Sequence, residues 1–110
     1  MGFRDFFAAV CNLPSVAELA RQVAQRSYGL VRESVGNQTL AFSVAEARGY
    51  VRAKAGVVIR AEARLLADRH RSLSQAALAR VVQQANDRVV QSVLADLHRE
   101  RARRSLVRAA

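Results

Sequence analysis

The sequence predicts an all-α protein, an elongated hairpin or bundle of about four helices, two short ones on the N-terminal side and two long. Three observations carry this. Apolar residues recur at a helical spacing of about 3.5–3.7 residues along most of the chain. The tetrapeptide Ser-Val-Ala-Glu occurs at 15–18 and at 43–46, each time ahead of a periodic run, where a capping box belongs. Helix breakers are confined: the sole proline is Pro14, and the clearest turn cluster is Gly-Asn-Gln-Thr at 36–39.

The first segment is short, about residues 3–11. Phe3, Phe6, Phe7 and Val10 share one helical face there, with Arg4 and Asp5 opposite. Asn12-Leu13-Pro14 ends it. The second runs over about 15–34 with a stripe of Val16, Leu19, Val23, Leu30 and Val31. Gly36 stands where a C-terminal cap is expected.

The third runs over about 43–70. Val44, Val51, Val58 and Leu65 recur every seven residues, with Ala47 and Ala61 in the companion core position. Lys54 and Asp68 interrupt that companion line. Gly49, Gly56 and Ala63 form a second seven-residue row, whose small side chains predict a neighbouring backbone close by. The fourth begins at Ser72 or Ser74 and extends to about 104, with a stripe of Leu78, Val82, Ala85, Val89, Val93 and Leu97, widened by Val90 and Leu94. Its eleven-residue steps favour a slight right-handed wrap. The whole reads as a single helical domain over 1–110, with a basic arm over about 98–110.

Hydrophobic residues make up 51% of the chain, but Ala and Val dominate and aromatics are 5%. Small side chains bury little area each, so a monomer has a thin core and self-association is expected. The expected interface residues are Phe3, Phe6, Phe7, Val44, Val51, Val58 and Leu65.

Catalytic chemistry finds no support. His70 and His98 lie on different helices with no second ligand at metal spacing, so neither a metal site nor a cofactor is expected. Lys54 has no phosphate-loop context, and Glu46 and Glu62 stand near arginines as surface ion pairs would. Cys11 is the only cysteine, which suits a reducing compartment. Asp5 interrupts the N-terminus, against a signal peptide, and arginines break every apolar run. A cytoplasmic location, or one inside a particle assembled there, is expected.

Charge is the strongest functional signal. Eighteen basic residues stand against nine acidic ones, a net +9, and every basic residue except Lys54 is an arginine. Such a surplus favours nucleic acid, anionic lipid or an acidic protein. Arg60 and Arg64, one turn apart, point away from the Val44–Leu65 line, with Arg71 on nearly the same side. Arg80 and Arg88 lie off the fourth stripe. Arg99, Arg101, Arg103, Arg104 and Arg108 crowd the tail. Guanidinium forks suit phosphate oxygens. Tyr28 and Tyr50 stand apart from these clusters, so base stacking is not indicated, and no element reads base edges. The resulting expectation is a non-enzymatic, self-associating helical protein that binds nucleic acid through its phosphates, in the manner of a packaging, nucleocapsid or nucleoid protein. The alternative is a structural or adaptor subunit docking by helix packing into a larger protein assembly. A peripheral membrane protein is a third, weaker reading.

Overall fold

The computed structural model of the protein describes residues 15–109. Among them are three α-helices, α1 (Val16–Val35), α2 (Val44–Arg69) and α3 (Gln75–Ala109), a 3₁₀ turn (Gln38–Ala41) between the first two, and no strand. The expected phenylalanine helix over 3–11, with interface residues Phe3, Phe6 and Phe7, lies outside the described residues, as do Cys11 and Pro14. All three helices pack on one another. The radius of gyration is 17.9 Å, against ~13 Å for a compact chain of this length, and the extents are 69 × 22 × 19 Å. The bundle is therefore elongated, as its long helices require: α3 alone runs ~52 Å at 1.5 Å per residue.

Capping sets the helix starts. Ser15 accepts the Glu18 amide at 3.1 Å, Ser43 accepts the Glu46 amide at 3.2 Å, and Ser74 accepts the Ala77 amide at 3.0 Å. The box closes fully only at Ser43, whose own amide donates to the Glu46 carboxylate at 3.4 Å. At the first site the Glu18 carboxylate turns instead to Arg21, with which it makes a two-pronged ion pair. Gly36 ends α1 at φ 60°, ψ −151°, donating its amide to the Arg32 carbonyl at 3.0 Å. That backbone conformation belongs to glycine. Arg32 donates in return to the Gly36 carbonyl at 2.7 Å.

The core follows a four-residue row on every helix. α1 buries Leu19, Val23, Ser27, Val31 and Val35, α2 buries Ala47, Val51, Ala55, Ile59 and Ala63, and α3 buries Val81, Ala85, Val89, Val93 and Leu97. Ala20, Ala24, Leu66 and Val90 flank these rows. Four residues overshoot one helical turn by about 40°, so each row drifts by about 160° over its length. The drift lets a single row meet both neighbouring helices in turn. It has the sense of an eleven-residue repeat, not of a heptad.

This corrects the seven-residue reading of α2. The line Val44–Val51–Val58–Leu65 crosses the buried row only at Val51: Val44 is 65% exposed, Leu65 is 51% exposed and Val58 is half-buried. Ala61 is exposed instead of core. The close approach expected at Gly49 and Gly56 is not made among the described residues. A Cβ at Gly49 would meet nothing within 4 Å, and one at Gly56 only the guanidinium of Arg60, at 3.8 Å. Leu30, expected in the core of α1, is 54% exposed.

Candidate nucleic-acid interface

α2 resolves into four rows of four-residue spacing, each with its own chemistry. Beside the buried row, one residue further on, run Arg48, Arg52, Gly56, Arg60 and Arg64. The next row is Ala45, Gly49, Ala53, Val57, Ala61 and Leu65, apolar at every position and exposed at every position. The fourth row, Glu46, Tyr50, Lys54, Val58 and Glu62, is half-buried from Tyr50 onward and closes the other side of the core. Because all rows drift together, the arginines stay at the edge of the core seam along the whole helix.

Arg48, Arg52, Arg60 and Arg64 are exposed, and none forms an ion pair among the described residues. Consecutive positions on the row rise by ~6 Å, so the four guanidiniums span ~24 Å. Arg60 lies back over Gly56, which leaves a gap in the row that the guanidinium partly covers, 3.8 Å from where a Cβ would stand. The expected Arg60 and Arg64 are thus half of a longer row. Arg48 and Arg52 are missed by a seven-residue reading, and stepping back by fours from Arg60 finds them.

The remaining arginines are placed differently. Arg71, in the turn after α2, and Arg80 and Arg88, on α3, are exposed and outside any ion pair among the described residues. Arg88 and Arg21 flank a groove of about 450 Å³ between α1 and α3, floored by Ala24 and Val89 and also lined by Tyr28. In the tail, Arg99 pairs with Asp96, and Arg103 and Arg104 both pair with Glu100. The hydrogen bond from Arg103, then that from Arg104, holds the Glu100 carboxyl below the ordinary glutamate range. Arg108 is exposed and unpaired among the described residues, beside Val107, which is 71% exposed.

Arg101 is set apart from the other tail arginines. It takes the next place after Leu97 on the buried row of α3, and its Nη2 donates to the Thr39 carbonyl at 3.0 Å and the Phe42 carbonyl at 2.6 Å. The 3₁₀ turn is thereby tied to the far end of α3. Phe42 meets Tyr50 edge-on with ring centroids 5.7 Å apart, and the Lys54 ammonium sits 5.5 Å from the Tyr50 centroid. Arg101 therefore serves first as a latch of the fold.

Among the described residues no group of three or more His, Cys, Asp or Glu side chains could hold a metal ion, and no helix is long and apolar enough to cross a membrane. No protein-family model matches the chain, and no curated protein or solved structure is significantly similar to it.

Proposed function

We propose that this is a non-enzymatic, self-associating helical protein that binds nucleic acid through phosphate contacts, as a packaging or nucleoid-type protein would. One observation carries the reading. The outer face of α2 is divided into an arginine row that makes no ion pair among the described residues and, next to it, an exposed apolar row six positions long. An arginine row needs polyanion or water. An exposed apolar row with Val57 and Leu65 at its far end suits another protein surface. A second copy of the chain satisfies the apolar row and sets arginine rows of both copies in one particle, which multiplies phosphate contacts. The assembly-subunit reading shares the apolar row, but it leaves the arginine row without a use unless the partner is acidic.

Two measurements test this. Affinity for random duplex and single-stranded DNA and RNA is titrated against salt. Each phosphate contact contributes a slope of about −0.9 on duplex DNA. Replacing Arg48, Arg52, Arg60 and Arg64 together by Ala is expected to flatten the slope by up to about four such increments, with little dependence on base sequence. In parallel, light scattering on Val57→Asp/Leu65→Asp is expected to show loss of the oligomer with helicity retained. No binding at low salt overturns the nucleic-acid reading, and a monomeric wild-type chain at micromolar concentration overturns self-association.

A further inference from the structure

The groove of about 450 Å³ between α1 and α3 has an apolar floor and a largely uncharged rim. Ala24 and Val89 lie at its base, and the half-buried Tyr28 stands at its far end along α1. Gln25, Gln91 and Ser92 stand on the rim between Arg21 and Arg88, and no carboxylate lines it. An enclosed cavity of ~150 Å³ admits one benzene ring, so the groove has space for about three. The furrow on the other side of α1, against α2, is a poor alternative. It holds about 40 Å³ and is lined by Arg26, Glu62, Arg69 and His70, too small and too charged for a ring.

The occupant follows from what the bundle lacks. No aromatic side chain is buried among the described residues, whose buried hydrophobic side chains are Ala, Val, Leu and Ile59. Three of the four phenylalanines of the chain, Phe3, Phe6 and Phe7, precede α1 and fall with Val10 on one helical face. Covering such a ring takes ~150–250 Å² out of water. Tyr28 offers an aromatic edge or face to meet it. Reach fits as well. Ser15 caps α1, so the chain joins the bundle ~9 Å short of Arg21 along the helix axis. Asn12-Leu13-Pro14 is a natural place for the segment to reverse. From Phe3 to Val10, and from Arg21 to Tyr28, is in each case ~10.5 Å of helix. A segment folded back along α1 therefore matches its phenylalanine stripe to the length of the groove.

We infer that residues 3–11 seat in the α1–α3 groove of their own chain as a fourth helix, with Phe3 toward Tyr28 and Val10 toward Arg21. The phenylalanine face then belongs to the inside of one molecule and not to an interface between copies. The exposed row of α2 is left as the surface for self-association. The seat goes beyond the proposed function and does not rest on it.

Phe6→Trp tests the seat by introducing a tryptophan into a full chain that has none. Its emission and its quenching by acrylamide are read over a range of concentrations. The background is Val57→Asp/Leu65→Asp, which takes the apolar row of α2 out of play. A short-wavelength emission, protected from acrylamide and independent of concentration, is expected. Gln25→Asp/Ser92→Asp, at two exposed positions on the groove rim, is expected to expose the indole while the helicity is retained. Gln83→Asp, exposed and outside the groove, is expected to leave it protected. An indole exposed at every concentration overturns the seat, as does protection unmoved by Gln25→Asp/Ser92→Asp. Protection only at high concentration also overturns it and places the segment on another copy. A thermal cycle covers the case of a tryptophan too large for its place. Phe3→Ser/Phe6→Ser/Phe7→Ser is expected to lower the melting temperature by about 10 °C, and hardly at all once Gln25→Asp/Ser92→Asp is present. Equal losses in the two backgrounds overturn the seat. Neither measurement reads self-association or nucleic-acid affinity, so failure of the proposed function leaves the result standing.

Discussion

Replacing Arg101 by Ala separates an arginine that holds the fold from arginines that decorate it. Its Nη2 makes two hydrogen bonds to backbone carbonyls, at 3.0 and 2.6 Å, across 62 and 59 residues of chain. Hydrogen bonds involving a charged partner contribute about 1.5–3 kcal/mol each. The two share one nitrogen and are not additive, and immobilising the side chain costs up to about 2 kcal/mol. A net loss of about 2 kcal/mol remains, which lowers the melting temperature of a domain this size by roughly 10 °C. Arg104→Ala removes only an exposed contact to Glu100, of the kind that water and salt screen, and leaves the midpoint nearly where it was. Thermal and urea denaturation of both variants give the comparison. Amide exchange over residues 38–42 reports whether the turn has been released. If Arg101→Ala melts together with Arg104→Ala and the turn amides keep their protection, the latch is not a determinant of stability and the argument from burial is wrong.

Ile59→Ala removes a fully buried side chain from the α2 row and is expected to cost about 2–5 kcal/mol, whereas Val44→Ala, at a 65% exposed position, stays within about 0.5 kcal/mol; urea midpoints that rank them otherwise reject the four-residue core. Gly36→Ala places a side chain at φ 60°, ψ −151°, at a cost of about 1–3 kcal/mol; an unchanged midpoint would mean that α1 ends differently. Glu100 titrates below the ordinary glutamate range because the protonated form loses its arginine partners. Its pairing therefore stabilises the end of α3 above the ordinary glutamate pKa, and the benefit disappears as pH falls through the lowered value. Arg103→Ala is expected to move the Glu100 carboxyl titration, followed by carbon NMR, up towards the ordinary value; no movement would show that the pair does not persist in solution.

Helix type and helix limits were legible in the sequence because they depend on local chemistry. Ser15, Ser43 and Ser74 cap through their own first turns, and Gly36 ends α1 because its backbone conformation excludes other residues. The choice of buried face was less legible because it depends on how helices wrap one another. In α2 a heptad line and a four-residue line both carry apolar residues, and they intersect at Val51. Local pattern alone does not choose between them. The choice is made by α1 and α3, whose own rows, Leu19–Val35 and Val81–Leu97, also step by four. Three rows drifting in the same sense can stay in register, whereas one heptad line among them would leave the seam within two turns. The same geometry sets Arg101 apart from the rest of the basic tail. Its neighbours Arg99, Arg103 and Arg104 differ from it by charge in no way, and only its place four residues after Leu97 puts it on the buried row. The same four-residue spacing on α2 sets out the surface on which the proposed function rests. Arg48, Arg52, Arg60 and Arg64 stand on one line and Ala45 through Leu65 on the next, so charge and apolar area lie side by side and turn together around the helix. A partner that follows one line therefore meets the other, which is why phosphate binding and self-association are expected to be lost or kept together when the register of α2 is disturbed.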